Sequence, residues 1–200
     1  MRKEVKIDIV TPKEELLADY AQAVQNGWYP DDRGINNDQL HLNKILEEIK
    51  NNPKSFINKI TEANASDKKY LTPRKEVHPR LPSFHKWIYR EKIFCGRVSL
   101  RWEPGTSALP DKVPGHVGYS VVPWMRGFGI ATEALRMIMT YAEMLQLEYV
   151  ELVISKENAA SIRVAEKLEA KPGDYISLQG RDETFRKYRI FTKAKGKLLD

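Results

Sequence analysis

Residues 116–154 constrain the fold of this chain more than any other stretch. His116-Val117-Gly118-Tyr119-Ser120-Val121-Val122 reads as a strand that Pro123 terminates, because proline cannot donate to a ladder. Arg126-Gly127-Phe128-Gly129-Ile130-Ala131-Thr132 follows, and then Ala134, Leu135, Ile138, Met139, Ala142 and Leu145 recur at helical spacing. Tyr149-Val150-Glu151-Leu152-Val153-Ile154 reads as a buried strand. Strand, loop, helix and strand make a right-handed crossover, which predicts that the two strands lie parallel in one mixed α/β sheet flanked by helices.

The loop between the first strand and the helix is chemically suggestive. The leading N–H groups of a helix have no partner, its dipole is positive at that end, and Gly127 and Gly129 let backbone approach an anion closely. Two familiar phosphate loops do not fit. The pattern GxxxxGK[ST] is absent, and a dinucleotide fingerprint needs Gly or Ala where Thr132 stands. It also wants an acid about 20 residues on, whereas Glu151 lies inside the next strand. A plain glycine turn capping a helix stays open at this point.

Elsewhere the pattern is uneven. Val5 to Val10 alternates like a short strand, and Thr11-Pro12-Lys13-Glu14 predicts an N-cap, a first-turn proline and an acidic first turn for a helix that stops at Asn26-Gly27. Trp28-Tyr29-Pro30-Asp31-Asp32-Arg33-Gly34 is a turn-rich loop, read either as a lid or substrate wall or as a plain interhelix connection. Leu40, Ile45, Leu46 and Ile49 mark a second helix. Asn51 to Pro82 is proline-punctuated and polar apart from a helical piece around Phe56, Ile57 and Ile60. Trp87 to Trp102 predicts an antiparallel hairpin turning at Arg90-Glu91-Lys92. A helix from Asn158 to about Leu168 and strands near 175–178 and 185–191 complete the sheet.

With 200 residues and 42% hydrophobic residues, the chain reads as one domain spanning 1–200, in two successive stretches, 1–85 and 86–191. The single cysteine, Cys95, excludes an intrachain disulfide and a cysteine-built metal site, and the four histidines show no ligand spacing; no metal and a reducing cytoplasm are expected. The charged N-terminus runs into no apolar segment, and no stretch of about 20 apolar residues is present, so no membrane partner is expected. Lysine and arginine total 33 against 27 acids, interleaved rather than clustered. The resulting charge of +6 suits attraction of a phosphate-rich cofactor, and no nucleic-acid partner is expected.

Val121-Val122-Pro123-Trp124-Met125-Arg126-Gly127-Phe128-Gly129-Ile130-Ala131 resembles the Q/R-x-x-G-x-G/A signature of the GNAT acyltransferases, and Asn158-Ala159-Ala160-Ser161 through Glu166-Lys167-Leu168 is similar to that superfamily's following helix. The order and separation of the two segments match as well, and the likeness covers roughly residues 86–191, which implies a cofactor-binding core there and acceptor-side helices and loop over 1–85. Within the superfamily it is similar to a bacterial group of predicted acetyltransferases.

The resemblance implies an acetyl-CoA-dependent N-acetyltransferase with the GNAT fold, acting on a primary amine of a small molecule or a protein. It implies that Arg126 and the amides of Gly127, Phe128, Gly129, Ile130 and Ala131 hold the coenzyme A pyrophosphate, with Thr132 as a further donor. Backbone groups of Ser120, Val121 and Val122 would pair with the pantetheine arm, and one of their N–H groups would polarise the thioester carbonyl. Asn158, with Ser161, would contact the cofactor from the next helix, although an N-cap role alone also accounts for Asn158. Many relatives dimerise, and a homodimer is compatible with the resemblance.

Amide formation from a thioester needs a neutral amine and a route for protons. His116 is the candidate general base, near where the superfamily often places a glutamate, with Asp111 or Glu103 acting through water as alternatives and a solvent-bonded strand-end histidine as the plain one. Many relatives carry a tyrosine as general acid seven residues beyond the asparagine, but Ala165 stands there, leaving water, Tyr119 or Tyr141. That departure also admits a second class of function, a non-catalytic coenzyme A-binding regulator. Cys95 reads as a small buried residue, and Trp28, Tyr29, Trp87 and Trp102 as either core or acceptor-site lining.

Overall fold

The computed structural model of the chain describes residues 5–30, 39–61, 69–71, 77–79, 81–111, 113–178 and 181–193. A short strand, β1 (Asp8–Val10), leads through a single 3-10 turn at Glu14–Leu16 into α1 (Leu17–Gln25), followed by α2 (Gln39–Asn51) and α3 (Pro53–Thr61). Thr11 does not cap a helix: the 3-10 turn starts after Lys13, in extended backbone with no side-chain cap. The small hairpin of β2 (Lys69–Leu71) and β3 (Val77–Pro79) precedes the long hairpin of β4 (Ser83–Arg90) and β5 (Ile93–Arg101). Glu91 and Lys92 turn that hairpin with φ of 50° and 66°, a pair of left-handed residues whose twist matches that of the flanking strands.

The chain then forms β6 (Val117–Val121), a 3-10 turn at Pro123–Met125, α4 (Ile130–Met144), β7 (Tyr149–Ser155), α5 (Ala159–Lys167), β8 (Lys171–Ser177) and β9 (Thr184–Phe191). The expected single mixed sheet appears as two antiparallel ones, ordered β1-β4-β5-β6 and β7-β9-β8. Both faces of the first sheet are buried. Ile88, Val98, Leu100, Val117 and Val121 face Ile130, Ala134, Leu135 and Ile138 of α4, while Trp87, Phe94 and Val122 join Tyr20, Trp28, Leu42, Phe56 and Ile57 from the first three helices and the loop after α1. Neighbouring strand residues such as Trp87 and Ile88 thus enter different cores, as period-two alternation requires.

β6 and β7, expected as a parallel pair, form no ladder. They meet at one staple: the His116 N–H donates to the Glu151 carbonyl at 2.7 Å, and the Glu151 N–H donates to His116 Nδ1 at 3.0 Å. Beyond it the two strands belong to separate sheets. The reading of residues 1–85 and 86–191 as successive parts is crossed by the pairing of β1 with β4, so the first sheet draws on both. Asp31 to Gly34 of the candidate lid, and Pro73 within the proline-punctuated stretch, lie outside the described residues.

Candidate functional site

A cleft of about 650 Å³ lies where β6, the loop after it, the start of α4 and one face of α5 come together. Its first wall is the glycine loop. Gly127 and Gly129 adopt φ of 83° and 81°, a region open to glycine and costly for other residues, and Gly129 is the N-cap of α4 with no side chain supplying a cap bond. The first bond of the helix ladder runs from the Glu133 N–H to the Gly129 carbonyl, so the N–H groups of Ile130, Ala131 and Thr132 lie ahead of it. Each of these three residues lines the cleft.

The second wall is the outer edge of β6. The Arg101 N–H donates to the His116 carbonyl, and the Val122 N–H donates to the Cys95 carbonyl at 3.0 Å; with the intervening register, this sends the backbone groups of the even-numbered residues 118, 120 and 122 into β5. The odd-numbered residues, Tyr119 and Val121, present theirs outward. Arg126 Nε donates to the outward carbonyl of Val121 at 3.1 Å. Ser120 still lines the cleft, but Val122 does not: it is fully buried among the aromatic residues of the second core. Phe128 is also absent from the lining; the residue is 54% exposed, and its ring centroid lies 5.8 Å from the Arg90 guanidinium carbon.

The third wall is α5. Asn158 Oδ1 accepts the Ser161 N–H at 3.0 Å, a standard N-cap, and both residues line the cleft. Asn158→Ala should lower stability by about 1 kcal/mol, read as a lower urea midpoint, and Asn158→Ser, which keeps a cap acceptor, should restore it. Arg163 and Lys167 line the cleft as well. Sequence reasoning passed over this pair, though basic residues four apart on a helix whose N-cap borders a glycine loop are a readable signal. With Arg126 they put three cations around backbone donors at a helix N-terminus, an arrangement suited to a multiply charged phosphate ligand.

His116 sits just before β6 and does not line the cleft. It is 1% exposed, and Nδ1 is occupied by the Glu151 N–H. Burial holds its pKa down at about 4, against the raising pull of the Glu151 carboxylate and the Ser107 backbone, so the imidazole is neutral at pH 7. Glu151 itself is buried and paired with Arg189 Nε at 3.0 Å and Lys187 Nζ at 3.3 Å. Of the other candidates, Glu103 lines a separate depression with Trp102 and Ser107, and Asp111 lines neither. Tyr119 lines the cleft, whereas the Tyr141 ring packs 5.0 Å from Phe84.

Ala165 is fully buried beneath α5. The Cys95 thiol is buried, pushed up in pKa by that burial, and bonded to the Ile93 carbonyl. Trp28 and Trp87 are core, while Tyr29 lines the cleft together with Gly27. Among the described residues, no group of three or more His, Cys, Asp or Glu side chains is gathered that could hold a metal ion, and no helix is long and apolar enough to cross a membrane.

A profile of the Acetyltransferase (GNAT) domain matches residues 35–171. No curated protein matches the sequence at a significant level. Among solved structures, the chain is similar to Mycobacterium smegmatis RimJ in complex with CoA-disulfide, with a TM-score of 0.62 and 15% identity over 96% of this chain and 84% of that one. It is also similar to RimL, the ribosomal L7/L12 alpha-N-protein acetyltransferase in complex with coenzyme A, with a TM-score of 0.59 and 14% identity over 96% and 97%. The microcin C7 self-immunity acetyltransferase MccE, in complex with acetyl-CoA and AMP, gives a TM-score of 0.58 at 11% identity over 94% and 93%. At these identities the likeness is one of fold.

Proposed function

The chain belongs to the GNAT acetyltransferase family, and from that premise we propose that it moves an acetyl group from acetyl-CoA to a primary amine of a small molecule or a protein. The observation that carries this reading is the convergence, in one cleft, of the uncapped N–H groups of Ile130 to Thr132, the cations of Arg126, Arg163 and Lys167, and the outward edge of β6. The first two sets match a phosphate-rich molecule and the third matches an amide-bearing arm. Relatives with the same fold were captured with coenzyme A and with acetyl-CoA.

In this reading the loop from Arg126 to Thr132 holds the pyrophosphate, Arg163 and Lys167 neutralise further phosphate charge, and Asn158 and Ser161 border the arm. Acetyl-CoA supplies an activated acyl carbon with a thiol leaving group. The outward N–H of Val121 polarises the thioester carbonyl; the N–H of Val122 is already given to Cys95. Catalysis then rests mainly on holding a neutral amine beside that carbonyl. The amine's proton is assigned to water rather than to His116, whose Nδ1 is occupied and whose ring is away from the cleft.

Calorimetry with acetyl-CoA tests the cofactor site, with Gly127→Glu as the paired variant. A Cβ at Gly127 meets nothing within 4 Å, so the cost of the substitution lies in the left-handed backbone at φ 83°, which Gly127→Ala shares as the control, and only the glutamate sets a carboxylate where phosphate should lie. The wild type should bind with a Kd of micromolar order and the variant about 100-fold more weakly, about 3 kcal/mol, with its circular dichroism unchanged. No binding by the wild type would remove the acyltransferase reading. Binding without thioester turnover across a panel of amines would favour the regulatory reading, for which the alanine at position 165 is the supporting feature.

A further inference from the structure

The stretch after α1 is tied to β6 by a cross-strand pair. Arg97 and Ser120 face each other in the β5–β6 ladder, and between them they reach three consecutive residues. Trp28 Nε1 donates to Ser120 Oγ at 2.9 Å, Ser120 Oγ donates to the Tyr29 carbonyl at 3.0 Å, and Arg97 Nε donates to the Pro30 carbonyl. Trp28 is fully buried, its ring 5.3 Å from Tyr20 and 5.2 Å from Phe94. The segment is therefore fixed at its core side by packing and at its cleft side by three hydrogen bonds. Gly27 and Tyr29 are the parts of it that line the cleft.

The position of this wall follows from the sheet. Val117 and Val121 of β6 pack toward α4, so Ser120, of opposite parity, points to the face that carries α1 to α3. The glycine loop and the start of α4 lie on one face of the sheet, the latched segment on the other, and the outer edge of β6 between them. On the acetyl-CoA reading, a linear thioester anchored at the glycine loop and lying along that edge would run toward the side of the cleft that Tyr29 lines.

We propose that Tyr29, held by the Arg97–Ser120 pair, limits the length of the acyl group the cleft accepts, admitting acetyl and opposing longer chains. The inference rests on the acetyl-CoA reading of the cleft and assigns this chain's own residues to donor selection. Ser120 acts here as a positioning residue: its hydroxyl holds the segment, and Tyr29 supplies the surface.

Competition calorimetry with acetyl-CoA and butyryl-CoA on the wild type and three variants tests it. The wild type should prefer acetyl-CoA by about tenfold or more, since a rigid pocket discriminates by about that much against extra methylenes. Tyr29→Ala should bring the two affinities to within about threefold, and Ser120→Ala should do the same by releasing both Trp28 Nε1 and the Tyr29 carbonyl. Ser120→Thr, which keeps the hydroxyl, should recover the wild-type ratio; a purely steric role for Ser120 would give no such rescue. Equal affinities in the wild type, or an unchanged ratio in Tyr29→Ala and Ser120→Ala with native near-ultraviolet dichroism, would overturn the proposal. Failure of the wild type to bind either thioester would instead overturn the cofactor reading beneath it.

Discussion

Gly96→Ala should destabilise this protein by about 4 kcal/mol or more and lower its Tm by about 10 °C, a larger effect than most core truncations produce. The reason lies in where the strands touch. Ile88 pairs with Gly96 and Tyr89 with Phe94, so Cys95 is an extra residue in β5, a bulge that bends the strand toward β6. Gly96 follows at φ 138°, and a Cβ built on it would stand 2.0 Å from the Ser120 carbonyl oxygen and 2.9 Å from Val121 Cα. These are backbone atoms, which cannot rotate aside as a side chain would. Accommodating a methyl group means opening the β5–β6 ladder at the residues that carry the Trp28–Pro30 segment and the free edge of the cleft. Gly173→Ala is the control, because a Cβ there meets Lys187 at an ordinary 3.6 Å. Urea unfolding of both variants checks the prediction, and a loss below about 1 kcal/mol for Gly96→Ala would show that the strands part at little cost.

Lowering the pH from 7 to about 4 should cost about 3 kcal/mol of stability through His116 alone. Burial outweighs the attraction of Glu151 and holds the folded pKa at about 4, below the ordinary value of 6.5 for a histidine in the unfolded chain. Between those two values the unfolded state binds the proton and the native state does not. The contribution is therefore complete above pH 6.5 and is lost as the pH falls toward 4. Geometry gives the same sign, since a proton on Nδ1 would displace the Glu151 N–H from the staple joining the two sheets. His116→Asn, which offers a side-chain oxygen to that N–H and does not titrate, should flatten the slope of stability between pH 6.5 and 4.5 while leaving the pH dependence of acetyl transfer in place. Equal slopes in the two proteins would mean that acid sensitivity arises elsewhere. A lost limb in the pH–rate profile would return His116 to the chemistry.

His116 also shows the limit of reading a site along the chain. Its distance before Arg126 and its ordinary pKa made it a candidate base, but both properties are local. Its function in the fold depends on Glu151, thirty-five residues later. Val122 is a similar case: one position along a strand reverses the direction of a backbone N–H, and only the register with β5 says which residues of β6 keep theirs for a ligand.

What the amino-acid order determined by itself was everything carried by local geometry. Two glycines ahead of an apolar 3.6-residue period set the left-handed loop at the N-terminus of α4, the Asn158 cap set the start of α5, and period-two alternation marked the long hairpin and the final strand. Tertiary structure decided what depends on partners distant in sequence: that β6 and β7 share a staple instead of a ladder, that Val122 belongs to the core and Tyr119 to the cleft edge, that Arg163 and Lys167 line the same cleft as the glycine loop, and that Ser120 holds residues 91 and 92 positions before it. Periodicity reports which face of an element is apolar, but a hydrogen bond across the fold is specified by the packing of two cores on opposite sides of one sheet, which no window along the chain contains.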